Sequence, residues 1–192
     1  MSTTTDTELV GDELTTNLAR AALFAALLGA FAYVSFPNPV SPAPVTLQVL
    51  GVFLAGILLG PVWGGAACGL YLLAGALGAP VFSGGTAGIG VLLGPTAGYL
   101  WSYPLVAFVI GEIVHSGRSL SDPKTVSLVR LVGAMVVGTV IIYACGIFGL
   151  MVVLSLSPIE AFFAGAAAFI PAEILKIAAA VGIVRSDAIA AA

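Results

Sequence analysis

Two charged side chains stand where charge is costly. Glu173 and Lys176 lie three residues apart in Ile170-Pro171-Ala172-Glu173-Ile174-Leu175-Lys176, within an apolar stretch. That spacing puts both on one helix face. An ionisable residue inside an apolar span marks a candidate binding site by default. A purely structural ion pair, or a lysine snorkelling to the interface, is the competing account. Gln48 is the only amide side chain within the apolar runs, and it bonds either a ligand or a neighbouring helix. Ser83-Gly84-Gly85-Thr86 adds hydroxyls and a backbone that a ligand can approach closely, although an ordinary turn would use the same residues. Tyr99, Trp101 and Tyr103 either line a pocket or form an interfacial belt, and the belt suits Trp101 and Tyr103 better.

Catalysis finds little support in these residues. Glu173 has no nucleophile or metal partner at a workable spacing. His115 is the single histidine and falls in a polar stretch, so no metal site is expected. Cys68 and Cys145 sit in apolar runs and read as small buried hydrophobes. Gly84-Gly85-Thr86-Ala87-Gly88 lacks the following Lys-Ser or Lys-Thr of a phosphate-binding loop. The expectation is no catalytic residue, no metal and no cofactor.

The elements that position these groups must be membrane helices. Of 192 residues, 60% are hydrophobic and 8% charged, where a soluble domain carries about a quarter charged residues. Such a chain suits a lipid solvent, in which the backbone must be satisfied internally by helices or a closed barrel. Long apolar runs without polar alternation exclude the barrel. The fold class expected is all-α, an integral membrane bundle of six transmembrane helices.

Span one is Leu18 to Val34, capped by Thr15, Thr16 and Asn17. Pro37, Pro39, Pro42 and Pro44 make the next segment a stiff, extended loop. Span two is Val45 to Leu59, and Gly60-Pro61 separates it from span three, Val62 to Leu77. The glycine-rich segment 78–94 is not helical, and such backbone is tolerated at membrane depth only where protein buries it or a cavity needs it. Spans four and five are Pro95 to Val114 and Thr125 to Leu154. Ser157-Pro158-Ile159-Glu160 reads as a capping box opening a short helix to Phe169, and Pro171 restarts the chain as span six, to Val184, a single kinked helix being the alternative. The domain division expected is a polar, disordered stretch over 1–14, a membrane domain over 15–187 and a short tail over 188–192.

Six spans place both termini on one side. With those termini cytoplasmic, the inside receives Arg20, Arg118, Lys124, Arg130 and Arg185, and the outside loops receive no Lys or Arg. The location expected is the cell membrane, crossed several times. Gln48, Ser83 to Thr86, Glu173 and Lys176 then converge on the outer side, as a small-molecule pocket would require. Nothing in the chain suits nucleic acid.

Three strings carry a resemblance. They are Pro44-Val45-Thr46-Leu47-Gln48, the run from Pro80 through Ser83-Gly84-Gly85-Thr86-Ala87-Gly88 and Leu93-Gly94-Pro95 to Tyr99, and Pro171-Ala172-Glu173-Ile174-Leu175-Lys176. They resemble the BioY family, the biotin-specific substrate-binding (S) components of energy-coupling factor transporters, over about residues 18–185. The resemblance implies a protein that is not an enzyme. Such a protein binds biotin from outside and works with a membrane T component and two ATP-hydrolysing subunits. It implies substrate contacts from Gln48, Ser83, Gly84, Gly85, Thr86, Tyr99, Glu173 and Lys176. In this chain Ala172 and Glu173 replace the Gly and Asp usual in the family, so the acid is one methylene longer. An S component for another vitamin is the nearest alternative. An intramembrane enzyme with Glu173 as base and an assembly protein are the remaining ones. The resemblance also implies a small-residue motif on the first helix for the coupling subunit. Ala21 with Ala25 and Ala22 with Ala26 offer two overlapping registers, which internal packing would also use.

Overall fold

A computed structural model describes residues 11–186. The calls on residues 1–10 and 187–192 lie outside the described residues. The order is α1 (Asp12–Tyr33), β1 (Ser35–Phe36), β2 (Val45–Thr46), α2 (Gln48–Ala76), α3 (Ala97–His115), α4 (Leu128–Leu154), α5 (Pro158–Gly165) and α6 (Ile170–Arg185). Short 3-10 turns occupy Ser83–Gly85, Ile89–Leu93 and Ala167–Phe169. The chain is a helix bundle, as its composition requires.

Several boundaries differ from expectation. The first helix starts at Asp12 rather than Leu18, and Thr16 Oγ1 donates to the Asp12 carbonyl at 2.8 Å instead of serving as a cap. The proline-rich loop is pinned at its ends by a two-residue antiparallel ribbon, Ser35 opposite Thr46 and Phe36 opposite Val45. Val45 and Thr46 are therefore strand, and α2 begins at Gln48. The capping box is present: Ser157 Oγ accepts from the Glu160 amide, and Glu160 Oε2 accepts from the Ser157 amide at 2.9 Å.

Among the described residues five helices, not six, are long and apolar enough to cross a membrane by length and composition, α5 and α6 counting together as one stretch. Expected spans two and three run together as α2. Their junction is not helical, however: Gly60 has φ 75° and ψ −176°. That left-handed φ suits glycine, and Pro61 can donate no helical amide. The chain reverses there. Gln48 Nε2 donates to the Tyr71 hydroxyl at 2.5 Å across 23 residues, which a straight helix would hold about 34 Å apart. The two halves touch closely, since a Cβ added at Gly64 would lie 2.7 Å from the Ala55 carbonyl oxygen.

Helix α2 is the centre of the bundle, packed by α1, α3 and α6. Phe53, Ile57, Val106 and Ile110 are fully buried between α2 and α3. Lipid is as apolar as these side chains, so dispersion contacts and close backbone approach hold the helices together. Gly56 and Gly111 supply that approach: a Cβ at Gly56 would meet the Ala107 carbonyl at 2.5 Å, and one at Gly111 would strike Pro61.

The end of the bundle at Gly60 is tied by basic residues and a histidine. Arg130 Nε donates to the Ile113 carbonyl at 2.5 Å, and its guanidinium also reaches Ser116. Arg185 bonds the carbonyls of Lys124 and Val126. His115 is not in a loop, as expected, but ends α3 and is buried. Its Nδ1 accepts from the Ser121 amide at 3.0 Å, so Nε2 carries the proton that goes to the Ile57 carbonyl at 2.9 Å. That carbonyl is free because Pro61, four residues on, has no amide hydrogen.

Candidate functional site

The opposite end of the bundle holds a cavity of about 220 Å³. Its walls come from the start of α2, the loop 81–96, the start of α3, the middle of α4 and the start of α6. The breaks in the chain account for this. Proline and glycine stop helices α2, α3 and α6 from continuing outward, so irregular backbone closes around a space that no straight helix fills.

Glu173 and Lys176 form the charged part of the wall and are 3% and 5% exposed. Lys176 Nζ donates to Glu173 Oε1 at 2.6 Å. The Tyr143 hydroxyl, from α4, donates to the same oxygen at 2.8 Å. Glu173 Oε2 is buried and has no hydrogen-bond partner among the described residues. A buried acceptor left unmade costs about 1–3 kcal/mol, more when charged. The pair is close to neutral as a whole, which is how a membrane interior tolerates it.

Gln48 is held by two protein groups. Its Oε1 accepts from Thr46 Oγ1 at 3.1 Å, and its Nε2 donates to Tyr71 at 2.5 Å. One amide hydrogen remains for another acceptor. Aromatic rings shape the rest. Phe82 packs edge-on against Tyr71 at 5.5 Å. Tyr143 meets Tyr99 at 6.1 Å and Phe169 at 5.9 Å. Tyr99 donates to the Gly165 carbonyl at 2.7 Å, fastening the end of α5 to α3.

The cavity brings together Gln48, Ser83, Thr86, Tyr99, Glu173 and Lys176. Gly84 and Gly85 are not on its wall; both have positive φ, and Gly85 faces the Tyr33 ring. Ser83 and Thr86 stand at the more exposed side, while Glu173 and Lys176 are buried. Tyr103 departs from the belt reading, being buried on the cavity wall, whereas Trp101 is 57% exposed and donates to the Leu92 carbonyl. The sequence reading missed Phe82, Tyr143 and Phe169. Tyr143 and Phe169 lie in apolar runs where aromatic residues are ordinary, and Phe82 lies in a loop notable for its glycines, so none of them stood out.

On α1 the alanines divide. Ala21 is fully buried, against a cluster with Leu59 and Ala67, and Ala25 is partly buried. Ala22 and Ala26 are exposed on the outer face of the bundle.

A family model described as the BioY family matches residues 1–191. Among curated proteins, the chain is 39% identical over 170 residues to the "Biotin transporter BioY" of Rhizobium etli, covering 84% of this chain and 87% of that protein. It is 37% identical over 131 residues to the protein of the same name from Thermotoga maritima, covering 68% and 72%. A solved structure described as the S-component for biotin from an ECF-type ABC transporter superposes with a TM-score of 0.82 at 24% identity, covering 92% of this chain and 93% of that one. At that identity the superposition speaks to the fold.

Proposed function

The chain belongs to the BioY family, and from that premise we propose that it is the biotin-capturing S component of an ATP-driven uptake transporter. It is a membrane transport subunit rather than an enzyme. Its partners are a membrane T component and two ATPase subunits, which supply the energy for uptake.

The observation that carries the reading is the buried Glu173–Lys176 pair on the wall of the cavity. One buried acceptor next to an ammonium with unused N–H groups complements the edge of a urea, which offers an N–H donor and a carbonyl. Biotin's ureido ring has that edge. Its apolar thioether ring fits the aromatic wall of Phe82, Tyr143 and Phe169. Its carboxylate tail then points toward Ser83 and Thr86, the exposed side, where an anion keeps its water.

We read α2 as two crossings joined at Gly60, which makes six in all. Both termini and the Gly60 turn then lie in the cytoplasm with Arg118, Lys124, Arg130 and Arg185, and the cavity opens outside. The exposed Ala22 and Ala26 form the face that receives the T component.

Titration of the purified protein with labelled biotin tests the assignment. One site per chain is expected, with other vitamins failing to compete. A folded protein that ignores biotin would overturn it.

A further inference from the structure

We propose that Tyr103 reads the carbonyl of the ligand: its hydroxyl opens into the cavity and donates to the ureido oxygen beside Lys176. This rests on reading the cavity as the biotin site.

Tyr99, Tyr103 and Tyr143 all line the cavity. Two of them commit their hydroxyls to the protein. Tyr99 donates to the Gly165 carbonyl at 2.7 Å, and Tyr143 to Glu173 at 2.8 Å. The Tyr103 hydroxyl has no hydrogen-bond partner among the described residues. Nor is it sealed in. Among those residues, Glu173 Oε2 is the one fully enclosed side-chain nitrogen or oxygen that lacks a partner. The Tyr103 hydroxyl therefore touches open space. Its side chain is 4% exposed and stands on the cavity wall, so that space is the cavity.

Its place on α3 selects the part of the ligand. Tyr103 lies one turn beyond Tyr99, deeper in the bundle, with Glu173, Tyr71 and Tyr99 among its neighbours. Ser83 and Thr86 stand at the more exposed side. The hydroxyl thus shares the charged end of the cavity, which the ureido ring occupies. A urea oxygen has two lone pairs, and Lys176 takes one of them. The phenol takes the other, since delocalisation into its ring makes it a better donor than acceptor. Water in the open cavity meets the hydroxyl before the ligand arrives. A ligand that displaces that water without offering an acceptor loses affinity, so the hydroxyl favours a ring with a carbonyl at that position.

Tyr103→Phe removes the hydroxyl and keeps the ring. Three quantities are compared in wild type and variant: thermal unfolding without ligand, biotin affinity, and the infrared band of biotin labelled with carbon-13 at the ureido carbonyl. The ligand-free variant is expected to be as stable as wild type, because no bond within the protein is lost. It is expected to bind biotin about tenfold more weakly, the scale of one hydrogen bond whose acceptor is left unmet. The carbonyl band of bound biotin is expected at higher frequency in the variant, since one of its donors is gone. Affinity within twofold of wild type overturns the proposal. So does weaker binding with the band unmoved, which would make Tyr103 a packing group or a contact to another part of the ligand. A loss beyond about a hundredfold is too large for one bond to a neutral acceptor and overturns it too. A ligand-free variant that is less stable, or does not fold, would place the hydroxyl's partner inside the protein and overturn it as well. If folded wild type itself fails to bind biotin, the functional reading falls instead.

Discussion

Replacing Lys176 by methionine keeps most of the side chain's length and removes its charge. In the structure this strips Oε1 of Glu173 of its 2.6 Å donor and leaves Tyr143 as the single hydrogen bond to a buried carboxylate. Breaking one half of a buried ion pair costs about 3–5 kcal/mol. Part of that appears as lost thermal stability. The part seen by biotin is the ligand contact from the ammonium, about 1.5–3 kcal/mol for a hydrogen bond to a charged group. Affinity should therefore fall by about 10- to 150-fold. The double variant Lys176→Met with Glu173→Gln removes both charges. It should recover thermal stability, because no uncompensated charge remains, yet still bind biotin poorly. Equilibrium binding of labelled biotin and thermal unfolding, both in detergent, separate the two effects. A folded Lys176→Met protein that binds biotin within threefold of wild type would refute the site argument. A double variant as unstable as the single one would refute the electrostatic account.

Glu173→Asp shortens the acid by one methylene, to the residue that the family resemblance led us to expect there. The carboxylate is then drawn back from Tyr143, so we expect weaker biotin binding, by about tenfold for one lost contact to a charged group; equal binding would show that the site does not depend on the longer acid. Ala26→Trp on the exposed face of α1 should abolish transporter assembly and biotin uptake while biotin binding to the isolated chain stays within about twofold, the ring forfeiting close helix contact without reaching the cavity; equal losses of binding and assembly would count against that face. Single cysteines placed in segment 37–44 should react with impermeant reagents from outside, and those in 118–124 only from inside. The reverse pattern would invert the topology and the site with it.

Composition specified a membrane protein, because 8% charge cannot coat a water-exposed surface, and the long apolar runs without alternation specified helices. Glu173 and Lys176 stood out for the same reason: a charge in an apolar run needs a purpose or a partner. The Ser157–Glu160 capping box and the prolines were legible because their effects are local. Tyr143 was invisible. An aromatic side chain is at home in hydrocarbon, and its role depends on α4 standing opposite α6, a relation no window of sequence contains. The same holds for Tyr71, which meets Gln48 only because α2 reverses at Gly60.

The alanines of α1 mark the boundary between the two kinds of information. The sequence supplied both small-residue registers and could not rank them, since every alanine has the same chemistry. The packed bundle ranks them by covering Ala21 with Leu59 and Ala67 and leaving Ala22 and Ala26 bare. Which residues can be where is set by the solvent each side chain tolerates, and that is written in the chain. Which face a residue shows, and which partners Glu173 meets, is set by what the other helices bring to it, so only the tertiary structure decides it.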